Sequence, residues 1–156
     1  FDAVAALAGV RDDALYEGQA AIEREALADM SAEGAYLFEI AAGDADGPLV
    51  IDSAPVLEAV LDDIAAGVTA PVISARFHRA VVAAVCATCA RLASELGLTQ
   101  VALSGGVFMN RLVMRGAVLG LREGGLIPLT HTRLPANDGG IAFGQAVVAW
   151  ARRGVA

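Results

Sequence analysis

The stretch that decides the fold is Gln100-Val101-Ala102-Leu103-Ser104-Gly105-Gly106-Val107-Phe108-Met109-Asn110. Gln100–Leu103 has the brevity and β-forming content of a buried strand. Two glycines follow, so the backbone can turn tightly with no Cβ beside it. From near Asn110, Leu112, Val113, Val118 and Leu119 supply the apolar positions of a helix. Leu126–Leu129 reads as the next short strand. Strands alternating with helices imply an α/β layer arrangement with at least one parallel pair.

Downstream, Pro135–Gly140 is a loop and Ile141–Arg152 a final helix, with Ile141, Gln145, Val148 and Ala151 on one face. Upstream, the longest helix is expected over Ser74–Leu96, with Phe77, Val81, Val85, Cys89, Leu92 and Leu96 at helical spacing. Gly97 supplies its stop. Before it, Ser53 stands at an N-cap position, Pro55 just inside, and Val56, Leu57, Val60, Leu61 and Ile64 carry a helix to Gly67. Ala35–Ala42 and Pro48–Ile51 read as strands around an acidic turn, Gly43–Gly47. That turn has too few oxygens at loop spacing for calcium and reads as solvated. Residues 18–30 and 1–9 read as two further helices, the first of the chain burying Phe1, Val4, Ala5 and Ala8 and stopping at Gly9.

Charge is divided unevenly. Residues 1–67 hold 15 of the 18 acids and 2 of the 11 arginines; residues 68–156 hold 3 acids and 9 arginines. There is no lysine. A pI of 4.7 and an acidic front exclude general nucleic-acid binding, which needs a clustered basic footprint. A 56% apolar content and mean hydropathy of +0.58 exclude disorder. The longest uncharged run, the 15 residues between Glu95 and Arg111, is short of a bilayer span and broken by glycines, so no membrane partner is expected. No signal peptide is visible and a start at Phe1 suggests a fragment or processed piece. Two cysteines do not make a disulfide framework, and a cytoplasmic location is the simplest expectation.

Three stretches could carry chemistry. Ser104-Gly105-Gly106 leading into a helix suits phosphate, because helix-start N–H groups and a positive dipole end would face the ligand. It is not a P-loop, and it reads equally as a plain strand-to-helix turn. Asp138, in Pro135-Ala136-Asn137-Asp138-Gly139-Gly140, is either a helix cap or a carboxylate held for a metal or substrate. Tyr16-Glu17-Gly18-Gln19-Ala20-Ala21-Ile22-Glu23, with Asp2 upstream, offers acids that serve the helix dipole or hold ribose hydroxyls. Cys86-x-x-Cys89 lies inside an apolar helix and reads as two small hydrophobes. His78 and His131 belong to no nucleophile set; His78 flanks an arginine-bearing face with Arg76 and Arg79, and His131 ends a strand. Asp44, Asp46, Asp62 and Asp63 read as solvated surface.

Taken together in order, these stretches resemble a known family. Phe1-Asp2-Ala3-Val4-Ala5-Ala6-Leu7, Tyr16-Glu17-Gly18-Gln19-Ala20-Ala21, Arg76-Phe77-His78, Leu103-Ser104-Gly105-Gly106-Val107-Phe108-x-Asn110-Arg111 and Pro135-x-Asn137-Asp138-Gly139-Gly140-Ile141-Ala142-x-Gly144-Gln145 are similar to the C-terminal end of the HypF hydrogenase-maturation carbamoyltransferases. The resemblance implies an α/β chain. Residues 1–156 would be the C-terminal lobe of an actin/sugar kinase/Hsp70-type ATPase fold, with helices layered on a small mixed sheet. It implies ATP and carbamoyl phosphate as substrates, carbamoyl-adenylate as intermediate, and transfer to the C-terminal cysteine of a HypE-type acceptor. The carbamoyl group would become the cyanide ligand of nickel–iron hydrogenase. Asp2 would hold the ribose, Gly18, Gln19 and Glu23 would lie near the adenosine, and Ser104, Gly105, Gly106 and Asn110 would line the nucleotide pocket. Asp138 would bind a divalent metal, iron or zinc, completed by a histidine pair outside this chain. The two histidines here stand 53 positions apart and cannot supply that pair, so the isolated chain is expected not to catalyse the overall reaction. Relatives within the superfamily are O-carbamoyltransferases and tRNA threonylcarbamoyl transferases. Tyr16-Glu17-Gly18-Gln19, where the latter would carry a Pro-Gly-Gly run, argues against them. A reading from another class is a non-catalytic nucleotide-binding interaction module.

Overall fold

A computed structural model describes residues 1–43 and 47–153, so the acidic turn Asp44–Asp46 lies outside the described residues. Along the chain run α1 (Asp2–Leu7), α2 (Gln19–Leu27), β1 (Glu39–Ala42), β2 (Leu49–Asp52), α3 (Ala54–Ala65), α4 (Ala70–Leu96), β3 (Gln100–Leu103), α5 (Arg111–Glu123), β4 (Ile127–Thr130) and α6 (Ile141–Arg153). Two 3-10 turns, Gly106–Met109 and Asp138–Gly140, separate strands from helices in the second half. The fold is mixed α/β, with helices layered on small sheets. β3 and β4 pair in parallel, with Leu103 opposite Thr130, and α5 makes the crossover between them. β1 and β2 form a separate antiparallel hairpin.

Helix α4 is the spine, and it begins a turn earlier than the apolar period suggested. Pro71 sits in its first turn, where a missing N–H costs nothing. Gly97, at φ 66°, ends it as expected. One side of α4 gives Ile73, Phe77 and Ala80 to a core with Val4, Tyr36, Val56 and Val60. Further along, Val85, Cys86 and Cys89 meet Leu103, Ala117 and Leu121 in a second core under the parallel pair. The expected face is thus only half right: Leu92 and Leu96 are exposed, and small residues such as Ala80 and Ala84 are buried instead. α4 and α5 approach closely because Gly116 and Gly120 present no side chains at their crossing. A Cβ on Gly116 would lie 2.6 Å from Val82 Cγ2, and one on Gly120 would lie 2.7 Å from Cys86 Sγ. By length and composition α4 could cross a bilayer, with mean hydropathy 1.4 over its most apolar window. Here it packs as the central helix against α2, α3 and α5.

Other departures have local causes. α2 stops at Leu27 rather than Met30, since Asp29 turns the chain by accepting from Ser31 N and Oγ. Residues 35–38 do not join the hairpin; Tyr36 N donates to Arg76 O and its hydroxyl donates to Asp63 Oδ2 at 2.6 Å. Asp63 is therefore no solvated acid. Arg76 Nη1 bridges both its oxygens at 2.8 and 2.6 Å, and Tyr36 and Arg76 together hold its carboxyl below the usual range. Ser53 makes no capping bond; Asp52 Oδ1 accepts from Ala54 N instead. α6 buries none of its expected face, and Ile141, Phe143, Val147, Val148 and Trp150 are exposed.

Arg24 is the anomaly of the first core. Its side chain is fully buried, and Nε, Nη1 and Nη2 have no hydrogen-bond partner among the described residues. The guanidinium lies on the Phe77 ring, 3.8 Å from its centroid, and 4.7 Å from that of Phe1. Burial lowers its pKa to about 9, so it remains charged at neutral pH. The cation–π contacts offset part of the desolvation cost, not all of it. Arg24→Leu is expected to gain about 1 kcal/mol at pH 7. The gain should shrink above pH 9, where the native arginine sheds its proton while the unfolded chain keeps it. Urea denaturation at pH 7 and pH 10 tests this; a leucine variant less stable than wild type at pH 7 would contradict it.

Candidate functional site

The glycine turn and the loop before α6 meet. Gly105 adopts φ 106°, ψ 162°, a conformation that needs glycine, and its N–H donates to Ala136 O at 2.7 Å. That bond ties the end of β3 to the loop carrying Asp138. Ser104 Oγ and His131 Nε2 lie 3.0 Å apart, joining the ends of β3 and β4. This places both at the C-terminal edge of the parallel pair, where α/β sheets commonly bind ligands. The outer face of the turn is open: a Cβ on Gly105 or Gly106 would meet nothing within 4 Å.

The helix start behind this turn is not the free anion seat that the sequence suggested. A 3-10 turn intervenes, and two of the first three amides of α5, those of Arg111 and Val113, are already taken. Asn110 Oδ1 accepts from Val113 N at 3.0 Å, and Glu25 Oε1, from α2, accepts from Arg111 N at 2.8 Å. The α5 dipole is thus answered by a carboxylate of the chain itself. Asn110 is buried, with its amide spent on Val113 and on His78 Nε2, 2.9 Å away. It shapes the floor of the turn.

The second group lies on α2. Gly18 is the αL residue ahead of the helix, and Gln19 is buried, accepting from Leu15 N and donating to Glu23 Oε1 at 2.9 Å. Arg11 grips Glu23 with two bonds of 2.9 and 2.7 Å. Arg11, with help from Gln19, holds the Glu23 carboxyl below its usual range, so an ionised acceptor stands ready at neutral pH. Asp2 is exposed at the start of α1, which packs on α2. The two groups are joined through the protein by Glu25–Arg111 and by His78, a residue that sequence reasoning left without a task. Its signal was only the motif Arg76-Phe77-His78.

Asp138 is exposed in the first turn of its 3-10 segment, and the cap is its neighbour: Asn137 Oδ1 accepts from Gly139 N. Among the described residues no three His, Cys, Asp or Glu side chains cluster to hold a metal ion. These residues alone do not fit one. Cys86 and Cys89 are half-buried free thiols on α4, and burial pushes both thiol pKa values up, away from thiolate chemistry. A hollow of about 310 Å³ lies at the α4–α5 crossing among Met30, Val82, Cys86, Leu112, Gly116 and Gly120, and includes no residue of the glycine turn.

Known proteins share this arrangement. The family described as "Carbamoyltransferase, Kae1-like Domain, second subdomain" matches residues 1–145. The carbamoyltransferase HypF of Rhizobium leguminosarum bv. viciae is 43% identical over 96% of the chain, which covers 19% of that protein. The carbamoyltransferase HypF of Synechocystis is 30% identical over 93% of the chain and 18% of its own length. The crystal structure of full-length HypF in its phosphate- and nucleotide-bound form superposes with a TM-score of 0.89 at 41% identity, over 96% of this chain and 19% of that one. HypF of T. kodakarensis does so at 0.73 and 28% identity, over 93% of this chain and 18% of its own. The chain thus spans about a fifth of the length of these relatives. A strand–glycine turn–helix–strand unit braced on a long helix, with sequence and backbone both matching over nearly the whole chain, places this chain in the HypF carbamoyltransferase family, as the second subdomain of its Kae1-like domain.

Proposed function

We propose that residues 1–156 form one lobe of a cytoplasmic carbamoyltransferase and supply one wall of its nucleotide cleft. The single observation that carries this reading is the match, at TM-score 0.89, to a relative described in a phosphate- and nucleotide-bound form. The open glycine turn at the sheet edge supports it. On this reading the substrates are ATP and carbamoyl phosphate. The carbamoyl group passes through carbamoyl-adenylate to the C-terminal cysteine of a HypE-type acceptor. The chain's own residues bind and orient. Gly105 and Gly106 let the phosphates approach the backbone, with Ser104 at the rim. Asp2 and the arginine-held Glu23 accept from ribose hydroxyls, beside Gly18 and Gln19, while Asn110 sets the floor of the turn. Fixed donors and acceptors support the transfer, with no covalent nucleophile on this chain. Asp138 would be one ligand of a divalent iron or zinc whose other ligands lie outside these residues.

The test is Gly106→Asp in the intact enzyme. Gly106 has open space around its Cβ position and no left-handed φ, so the substitution leaves the fold unstrained. A carboxylate there would face phosphate, and the ATP dissociation constant should rise by about tenfold or more. Unchanged affinity would remove the turn from the site. The isolated chain should show no carbamoyl-phosphate-dependent exchange between ATP and pyrophosphate, and such exchange would refute the half-site assignment.

A further inference from the structure

We propose that His78 is a positioning residue for the glycine turn: by accepting from Asn110 Nδ2 it locks the junction between Gly106–Met109 and α5 to the helix that carries Gln19 and Glu23. The inference rests on the nucleotide-site reading above and deepens it. His78 is buried in α4, with the rings of Phe1 and Phe77 edge-on at 5.7 and 6.4 Å. Its hydrogen bonds admit one arrangement. Asn110 Oδ1 is claimed by Val113 N–H, so the Asn110 group facing His78 is the Nδ2 donor. His78 Nε2 must then carry the lone pair, and Nδ1 the proton, which it donates to Ser74 O at 2.8 Å. One helical turn earlier on α4, Ser74 Oγ donates to Arg24 O at 2.6 Å.

An unbroken chain of polar contacts therefore runs from the α2 backbone, through Ser74 and His78 on α4, to the cap of α5. Glu25–Arg111 provides a second, parallel link between α2 and the same first turn. Asn110 is also the residue at which the 3-10 turn ends, its N–H donating to Val107 O. The direction of its side chain thus sets where Gly105–Gly106 stand relative to Gln19 and Glu23. A protonated His78 would have no acceptor for Nε2–H unless Asn110 flipped and abandoned Val113. Burial, reinforced by the charge of Arg24, keeps the imidazole neutral.

Two substitutions separate its two nitrogens. His78→Gln can place an amide oxygen near the Nε2 position and keep an acceptor for Asn110. His78→Asn can keep a donor for Ser74 O but loses that acceptor. In the intact enzyme without nucleotide, His78→Asn should speed amide exchange across 104–113 by about tenfold, the loss of one buried hydrogen bond. The KM for ATP should rise by a similar factor, with kcat changed less. His78→Gln should restore both. Equal behaviour of the two variants, or exchange accelerated across the whole chain, overturns the proposal. The ¹⁵N spectrum of the wild-type imidazole offers a test that needs no variant: a proton on Nδ1 supports the joint, and one on Nε2 overturns it. If the variants separate in exchange while neither they nor Gly106→Asp alter ATP affinity, the joint stands and the nucleotide reading fails.

Discussion

Gly116→Leu is expected to cost about 3 kcal/mol or more of folding stability, read as a lower urea midpoint at unchanged slope. The reason lies at the α4–α5 crossing. The Cβ itself would sit 2.6 Å from Val82 Cγ2 and 3.1 Å from Cγ1, so no rotamer of the new side chain relieves the conflict. Val82 is β-branched and stiff within a helix, which leaves it little room to yield. The gain from replacing a mid-helix glycine, about 1 kcal/mol, is too small to compensate. Gly144→Ala in α6 is the control: nothing lies within 4 Å of that Cβ position, so the propensity gain should appear alone. A Gly116→Leu chain as stable as wild type would mean that the crossing is looser than its geometry.

Lowering the pH from 6.5 to 4 is expected to cost roughly 2–3 kcal/mol through His78 alone. Its pKa falls from 6.5 to about 4 in the native chain, chiefly through burial. Between those values the unfolded chain binds a proton that the folded chain refuses, so stability is full above 6.5 and declines as pH drops through the window. Glu23 and Asp63 act in a lower range. Their native pKa values lie below ordinary carboxylate values of 4.5 and 3.8, so their contribution is full above those values and is lost as pH falls from them through the lower native ones. Denaturation of wild type and His78→Gln at pH 7 and 4.5 separates the two. The wild type should lose more stability over this interval, and parallel losses would refute the assignment.

Acid sensitivity and the glycine crossing were unequally visible in the sequence. Local signals worked where a residue type acts on its own backbone. Gly97 ended α4, Asn110 began α5, and the alternation of Gln100–Leu103, helix and second strand announced the parallel pair. They failed where a partner distant in the chain decides. Asp63 looked like surface until Tyr36 and Arg76 arrived from 27 positions before and 13 after it. The α5 start looked like an open anion seat until Glu25, 86 positions before Arg111, took one of its amides. His78 resembled a helix-flank histidine because nothing in its neighbourhood names Asn110 as its partner.

By itself the sequence determined the order and type of the main elements, the glycine turn that follows β3, and the family, because local backbone chemistry and ordered motifs need no folding to be read. Only the tertiary structure decided which polar groups meet. Burial removes water as a partner, so Asn110, His78, Ser74 and Glu25 must satisfy one another across helices far apart in the chain. That requirement ties the helix start behind the glycines to α2 and α4 and leaves the turn itself open.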